Sequence, residues 1–270
     1  MTNQKILEIA MKQSAADSGC GWKDFTGMQN KVVVSKKNKN ARKYLKLPFI
    51  CDLTSYGTNI VASVSKGLEE IVWEYINKYK IEHCFETPNL HKLMGSIRPL
   101  GYNICFMAEY SLPDTNILLE NQLPDRLWKK LSYANPSYEI RILGQEDFKE
   151  LYTPQWSNAL CKDRKELDII GAGAFNHGRL IALAGASADC STMWQIGIDV
   201  LPEYRRQGIA AALISRLAAE ILNKEIVPFY CCAWSNIGSI RSAVASGFRP
   251  AWVQITARPE EEITEMNNAE

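Results

Sequence analysis

The sequence predicts an α/β protein with two domains. Short apolar segments typical of strands are separated along the whole chain by stretches with the apolar period of amphipathic helices. A length of 270 residues gives room for two ordinary domains. Three prolines fall in residues 111–136, which we take as a linker between a smaller α/β domain at 1–110 and a C-terminal domain at 137–258.

The N-terminal domain is predicted to alternate helices and strands. Apolar residues recur on one face of 3–16 and, most clearly, of 67–80. Pro88 and Gly101 mark the start and end of the next helix. The linker contains one short helix at 124–131. The strands predicted in this domain are 31–35, 49–53, 59–64 and 101–107.

The C-terminal domain is predicted to be mostly strands at first, with Asn176-His177-Gly178 as a hairpin turn between two of them. Beyond Pro259, five glutamates and few apolar residues predict a mobile tail over 259–270. The predicted strands are 138–142, 168–176, 179–186, 194–200, 227–233 and 251–257, and the predicted helices are 145–151, 158–167, 209–223 and 237–246.

Residues 199–210 carry the most informative pattern. They read as the end of a strand, a tight loop containing Arg205 and Arg206, and a helix that opens with Gly208-Ile209-Ala210. Backbone N–H groups at a helix start lack intrahelical partners, and the helix dipole makes that end positive. Small residues there let a phosphate approach, so the pattern predicts an anion site, although close packing alone would also explain the small residues. The lysine of a nucleotide-triphosphate loop is absent.

Two motifs together resemble the GNAT acyltransferase superfamily. The first is Arg205-Arg206-Gln207-Gly208-Ile209-Ala210, which is similar to the coenzyme A loop of that superfamily. The second is Asn236-x-x-Ser239 followed by Gly247-Phe248, similar to its second coenzyme-binding segment. The resemblance covers about residues 137–257. The preceding domain together with Trp234-Ser235-Asn236 resembles a bacterial subgroup of two-domain GNAT proteins. The resemblance implies a C-terminal GNAT fold, a central mixed and splayed sheet flanked by helices.

The resemblance also implies how the donor binds. Strands 194–200 and 227–233 would separate, and the pantetheine arm of acetyl-coenzyme A would pair with backbone groups of Ile198 and Val200. The diphosphate would lie on the loop and helix start, and Asn236 and Ser239 would flank the other side. The coenzyme-binding residues are therefore expected to be Ile198, Val200, Arg205, Arg206, Gln207, Gly208, Ile209, Ala210, Asn236 and Ser239.

The catalytic groups are less clearly indicated. Many family members carry a tyrosine general acid seven residues after the asparagine, where this chain has Ala243. Ser239 is the nearest substitute donor, and helix capping or coenzyme binding would explain it equally well. Asp199 lies beside the expected cleft and is the candidate base, acting through water; a strand-end aspartate that caps or pairs with a neighbouring arginine is an equal alternative.

The predicted function is N-acetyl transfer from acetyl-coenzyme A directly to an amine of a small molecule or peptide. The alternative from another class is a non-catalytic acyl-coenzyme A sensor or interaction protein with the same fold. Residues 1–110 are expected to shape the acceptor site or to bind a protein partner. The sequence leaves the acceptor and the oligomeric state open, a homodimer included.

Composition excludes several other classes. A net charge of +1 gives no reason to expect nucleic acid, and the basic run at 36–43 is explained by a solvated loop. No apolar run is long enough for a membrane span, and Glu8 interrupts the start where a signal peptide would be apolar, so we expect a cytoplasmic protein. Gly171-Ala172-Gly173 lies inside a predicted strand, which does not fit a dinucleotide fingerprint.

The eight cysteines are expected to be free thiols without a metal site. None forms a Cys-x-x-Cys pair, so neither a zinc site nor a redox motif is indicated. The adjacent Cys231 and Cys232 would suit a nucleophile, but the sequence pairs no histidine with them. Their apolar strand favours ordinary buried cysteines.

Overall fold

The computed structural model describes residues 1–268, and its contacts divide the chain into two compact units. Each unit is named for the half of the chain that supplies most of it. The N-terminal unit comprises Ala10–Tyr110 and the segment from Ala251 onward, and the C-terminal unit comprises Met1–Ile9 and Ser111–Pro250. In chain order the elements are α1 (Asn3–Ser18), β1 (Lys31–Val34), β2 (Cys51–Ser55), β3 (Val61–Val64), α2 (Glu69–Lys78), α3 (Thr87–Ile97), β4 (Tyr102–Pro113), α4 (Leu123–Ala134), β5 (Tyr138–Gly144), β6 (Asp168–Asn176), β7 (Arg179–Ser187), β8 (Met193–Val200), α5 (Ile209–Leu222), β9 (Val227–Ala233), α6 (Ile237–Ala245), β10 (Phe248–Pro259) and α7 (Glu260–Asn268).

Both units are built on a sheet with parallel and antiparallel neighbours, as the predicted α/β class requires. In the N-terminal unit the order is β1-β3-β2-β10-β4, with β1 parallel to β3 and β2 antiparallel to both β3 and β10. In the C-terminal unit the order is β9-β8-β7-β6-β5. Strands β5 to β8 form an antiparallel meander, and β9 lies parallel to β8.

The division into units differs from the predicted domain boundaries at both ends. Asn3 belongs with the C-terminal unit, where its amide nitrogen donates to Asp114 Oδ1 at 3.0 Å and its amide oxygen accepts from Thr115 N–H at 2.8 Å. Residues 111–136 lie in the same unit and include α4. The last nine residues of β10 belong to the N-terminal unit, and 253–257 among them pair with β2.

Helix α5 is central to the C-terminal unit. Leu213, Leu217 and Ile221 recur on one face and are fully buried, as the sequence period predicts. The same unit contains a hydrophobic cluster beneath the segment between β5 and β6, with Phe148 and Trp156 as its largest side chains. The N-terminal unit has its own core, in which apolar side chains of α2, α3, β2 and β3 pack together.

Two predicted helices are replaced by short 3₁₀ segments. Residues 145–151 and 158–167 were predicted to be helical; the structure has 3₁₀ helices at Gln145–Phe148, Pro154–Trp156 and Lys162–Leu167. Between them, two carboxylates bind backbone N–H groups: Asp199 accepts from Asn158 and Ala159, and Asp168 accepts from Cys161.

The C-terminal segment also differs from the prediction. Residues 260–268 form α7, whereas composition predicted a mobile tail over 259–270; residues 269 and 270 lie outside the described residues. Three glutamates occupy the first turn of α7, where the helix dipole favours negative charge. Ion pairs join Glu260 to Arg98 at 3.1 Å and Glu262 to Lys46 at 3.0 Å.

A membrane-spanning helix would need a longer apolar stretch than any helix within residues 1–268 provides.

Candidate active site

The candidate site is a cavity of about 940 Å³ in the C-terminal unit, at the place where two parallel strands separate. Strands β8 and β9 are paired in register only from Met193–Gln195 to Val227–Phe229. Beyond these positions Ile196–Val200 and Tyr230–Ala233 both line the cavity instead of pairing with one another. The structure thus has the separation of strands that the resemblance implied.

Every predicted site residue except Gln207 lines this cavity. The Gln207 amide oxygen accepts a hydrogen bond from the Tyr138 hydroxyl at 2.9 Å, so its side chain contacts β5 instead. Predicted residues on β8, on the loop after it, at the start of α5 and at the start of α6 are therefore brought together around one space. Arg241 and Ser242 on α6 also line it, and the sequence had not singled them out.

The start of α5 is left without a cap. Gly208 is the N-cap residue with φ +88°, no side chain within residues 1–268 caps this end, and Ala212 N–H bonds back to the Gly208 carbonyl at 3.2 Å. The three N–H groups before Ala212 thus precede the first helical hydrogen bond, and their residues, Ile209–Ala211, line the cavity. No atom would lie within 4 Å of a Cβ on Gly208, so this helix end is open to a ligand.

The loop before α5 combines positive charge with an uncommon backbone conformation. Arg206 has φ +63°, a left-handed conformation that costs free energy for a residue with a side chain and that clusters at ligand-binding loops. Arg205 Nε donates to the Val200 carbonyl at 3.0 Å, which holds the loop against the end of β8. That bond also occupies one of the backbone groups predicted to pair with the pantetheine arm.

Asp199 holds one wall of the cavity. One carboxylate oxygen accepts the backbone N–H groups of Asn158 and Ala159, both at 2.9 Å, and the other accepts Asn158 Nδ2 at 2.7 Å. Among the cavity-lining residues of the described chain, Asp199 is the only carboxylate. Three N–H donors bind it, so its carboxylate holds residues 158–159 in place.

Two glycines let this clamped segment lie directly on the sheet. A Cβ on Gly197 would lie 1.8 Å from the Asn158 carbonyl oxygen, and one on Gly185 would lie 2.0 Å from the Ala159 carbonyl oxygen. Real Cβ atoms do not approach so closely, so only glycine fits at either position. The wall of the cavity is therefore fixed by contacts between backbone segments that are distant in sequence.

On the opposite side, Asn236 and not Ser239 caps α6. Asn236 Oδ1 accepts the Ser239 backbone N–H at 3.1 Å. The Ser239 hydroxyl lies 2.7 Å from the Tyr230 hydroxyl, and both residues line the cavity. Ala243, at the position of the family's tyrosine, is buried. Tyr230 was missed by the sequence analysis because its neighbour in space is nine residues away on another element.

One cysteine of β9, Cys231, contacts a glutamine across the gap. Gln195 Nε2 donates to Cys231 Sγ at 3.1 Å, where the two strands have just stopped pairing. No histidine lines the cavity in the described part of the chain. The arrangement gives no support to a cysteine nucleophile activated by histidine.

Comparisons with known proteins agree with this architecture. A sequence model of the GNAT acetyltransferase family matches residues 60–251, well over half of the chain. The match begins upstream of residue 137, so it includes much of the N-terminal region as well as the segment that carries the two motifs. A search of curated proteins gave no significant match.

Several solved structures are similar. A GCN5-related N-acetyltransferase-like protein from Streptococcus suis is 17% identical, with 63% of this chain and 69% of that one covered and a TM-score of 0.44. A GCN5-related N-acetyltransferase from Kribbella flavida is 13% identical, with 63% of each chain covered and a TM-score of 0.44. The chain thus spans roughly two thirds of the length of these relatives.

A third similar structure contains the coenzyme. The aminoglycoside N-acetyltransferase AAC(6')-Iy in complex with coenzyme A is 23% identical, with 42% of this chain and 88% of that one covered and a TM-score of 0.33. The family assignment rests on the match to the family's sequence model, and the mixed sheet with diverging strands agrees with it. The chain belongs to the GNAT acetyltransferase family and has the GNAT fold.

Proposed function

We propose that this protein is an N-acetyltransferase that moves an acetyl group from acetyl-coenzyme A directly to an amine. The observation that carries the proposal is the uncapped start of α5, which opens into the cavity between the separated ends of β8 and β9. Family membership supplies the reaction class. An anion-binding helix end beside unpaired strand edges is suited to a diphosphate with an extended amide-containing arm.

The donor is proposed to bind along these features. The diphosphate is held by the N–H groups of Ile209–Ala211, with Arg206 and Arg241 as nearby positive charges. The arm lies along the free edge of β8, and Asn236 and Ser239 flank it on the α6 side. The other expected residues, Ile198, Val200, Arg205 and Gly208, complete this surface, while Gln207 contributes through the backbone of the loop.

The chemistry requires a neutral amine and a departing thiolate. The amine nitrogen forms a bond to the thioester carbon, the carbon–sulfur bond breaks with its electron pair going to sulfur, and the nitrogen loses a proton. A thiol with a pKa of about 8.5 is a good leaving group near neutral pH. The enzyme must mainly orient donor and acceptor and stabilise developing charge, and we propose Ser239 as the hydroxyl donor at the sulfur.

For Asp199 we propose a positioning role in place of the base. A general base contributes about 10²–10⁴-fold, and its loss should be visible. Asp199→Asn keeps one oxygen for the two backbone N–H groups, and the Asn158 amide can turn to accept from the new NH₂ group. We expect this variant to lose less than about tenfold in kcat/KM. A hundredfold loss with an unchanged melting temperature would identify Asp199 as the base.

The role of the N-terminal region in binding the acceptor remains a prediction. All residues that line the cavity belong to the C-terminal unit, and the family match reaches back to residue 60. We propose that the N-terminal unit influences the choice of acceptor and not coenzyme affinity. A fragment starting near residue 135 would lose α4 and Met1–Ile9, which both belong to the C-terminal unit. Substitutions in the intact chain are therefore the better test.

The test of the proposed function is release of coenzyme A from acetyl-coenzyme A in the presence of a panel of amines. Small α-amines, polyamines, aminoglycosides and peptide N-termini are each assayed with wild type and with Ser239→Ala. We expect acetylated product with at least one amine class. Coenzyme binding without turnover for every amine would favour the alternative, a non-catalytic acyl-coenzyme A sensor. That alternative is supported by Ala243 at the tyrosine position and by the three donors that already bind the Asp199 carboxylate.

A further inference from the structure

The hydroxyls of Tyr230 and Ser239 form a pair that lines the cavity, and Tyr230 belongs to neither coenzyme-binding motif. The two oxygens are 2.7 Å apart, and only 4% of the Tyr230 side chain is exposed. Tyr230 is the first residue of β9 beyond the part paired with β8. Its hydroxyl is therefore at the point where the two strands begin to separate.

The main chain of Ser239 is held by a contact other than its bond to Tyr230. Its backbone N–H is bound by Asn236 Oδ1 in the first turn of α6, which fixes the main chain of the residue. Its hydroxyl takes no part in that cap, so its bond to Tyr230 is a separate feature. The alternative that Ser239 serves only as a helix cap is thereby removed.

We propose that Tyr230 is a positioning residue that turns the Ser239 hydroxyl proton toward the sulfur of the departing coenzyme. The proposal rests on the proposed function and deepens it. A serine hydroxyl has one proton and two lone pairs, so it can accept from one neighbour and donate to another. If Tyr230 donates to Ser239 Oγ, the serine proton is directed away from the tyrosine and is available in the cavity.

The direction of the hydrogen bond follows from acidity. A phenol is a stronger donor and a weaker acceptor than an aliphatic alcohol, so the tyrosine is the donor of an isolated pair. Burial raises the pKa of Tyr230 to about 12, and the hydrogen bond with Ser239 opposes that rise. The phenol therefore keeps its proton at neutral pH and remains a donor.

The step is balanced without transfer of a proton from either hydroxyl. As the carbon–nitrogen bond forms and the carbon–sulfur bond breaks, the electron pair leaves with sulfur, and the Ser239 O–H donates a hydrogen bond to it. The nitrogen proton goes to solvent, and the thiolate later takes a proton from solvent. The pair takes the place of the tyrosine that the family carries in α6, where this chain has Ala243.

The first experiment measures turnover in four variants of the full-length chain. Tyr230→Phe and Ser239→Ala are each expected to lower kcat about tenfold, the effect of one hydrogen bond made in the transition state, and to weaken coenzyme A binding by a smaller factor. The double variant should be no slower than Ser239→Ala, because Tyr230 acts through the serine. Ser239→Thr, which keeps a hydroxyl, should restore most of the rate.

The second experiment needs no turnover. The thiol pKa of bound coenzyme A is measured from thiolate absorbance, with the complex of desulfo-coenzyme A as the blank. A hydrogen-bond donor at the sulfur lowers this pKa, and we expect it to rise in Tyr230→Phe and Ser239→Ala alike. Tyr75→Phe is the matched control, since Tyr75 is also buried with one hydrogen bond, to the Cys84 carbonyl, in the N-terminal unit.

The outcomes separate this proposal from the proposed function. A wild-type chain that binds no coenzyme A overturns both. If the chain binds coenzyme A but shows no turnover, the thiol pKa measurement alone tests whether Tyr230 acts through Ser239. Wild-type behaviour of a folded Tyr230→Phe in both experiments, or a double variant slower than Ser239→Ala by the full factor of Tyr230→Phe, shows that Tyr230 does not act through Ser239.

Discussion

Both units place polar side chains on or beside their strands, but they use them in different ways. In the C-terminal unit these groups line the cavity where β8 and β9 separate. In the N-terminal unit Asp17, Arg42 and Asp52 are at most 3% exposed and are bound to other protein groups. Polar groups on strands indicate a ligand site only where the strands leave space. Elsewhere they stabilise the fold.

The N-terminal network is fully internal. Arg42 Nε donates to Asp17 Oδ2 at 2.6 Å, and the guanidinium also lies 5.4 Å from the ring of Tyr110 and 5.9 Å from that of Trp252. Tyr110 and Trp252 are stacked with centroids 4.6 Å apart. Such a buried pair costs much to break, because the remaining charge has no solvent to replace its partner.

The largest effect is expected from Arg42→Ala. Removing the guanidinium leaves Asp17 buried without its charge partner, which typically lowers the free energy of unfolding by about 3–5 kcal/mol. Urea unfolding measures this. Arg98→Ala is the control, since its pair with Glu260 is exposed and should contribute less than about 1 kcal/mol. Below the melting temperature the coenzyme affinity of Arg42→Ala should be unchanged. Reduced affinity in the folded variant would contradict the view that this network only stabilises the fold.

Asp52 predicts a dependence of stability on pH. Burial raises the pKa of this carboxyl to about 6, although Gln254, Thr256 and Thr54 donate to it and Arg42 lies nearby. The folded chain then holds the proton more tightly than the unfolded chain. The contribution of Asp52 to stability should therefore fall as the pH rises from about 4 to about 6, by about 3 kcal/mol, and stay level above that range.

Asp52→Asn tests this because it removes the titration and keeps an oxygen that can accept. The fall in unfolding free energy between about pH 4 and pH 6 should shrink by most of that amount. A slope of similar size to the one removed remains, since burial also raises the pKa of Asp168 to about 6. An unchanged slope in the variant would show that Asp52 is ionised throughout this range.

The smallest of the three effects is expected at Gly197. In Gly197→Ala the added methyl group meets the Asn158 carbonyl and must push the 158–159 segment off the sheet, at a typical cost of about 1–3 kcal/mol. Gly144→Ala is the control, because Gly144 is a strand residue with φ −107° and open space at its Cβ. Equal unfolding free energies for the two variants would contradict the close contact.

Much of the fold could be predicted because its elements carry strong local patterns. The bounds of β6 and β9 agree with the prediction, and α5 ends one residue earlier than expected. The path of residues 158–167 could not be predicted, since part of what holds it is a carboxylate on another strand: Asp199 accepts from Asn158 N–H. Helix α7 was missed because the prediction rested on overall composition. The three glutamates in its first turn, where the helix dipole favours negative charge, were the local signal for a helix start.

The candidate site also has a part that could be predicted from local sequence and a part that could not. The loop from Arg205 to Ala210 is contiguous, and so its geometry follows from nearby residues. The clamp formed by Asp199 joins residues 41 positions apart, and the Tyr230–Ser239 pair depends on where β8 and β9 stop pairing. No local pattern contains that point of separation. The direction of the Gln207 side chain is likewise set by Tyr138, 69 positions away.

The most direct test of the central claim is calorimetric titration of acetyl-coenzyme A into Gly208→Glu and Gly178→Glu. Both glycines have a left-handed backbone, with φ +88° and +81°, and open space at the Cβ position, so the two variants bear similar strain. Only Gly208 lies at the start of α5. The account predicts at least a tenfold weaker affinity, about 1.4 kcal/mol, for Gly208→Glu and wild-type affinity for Gly178→Glu. Wild-type affinity in a folded Gly208→Glu would contradict it.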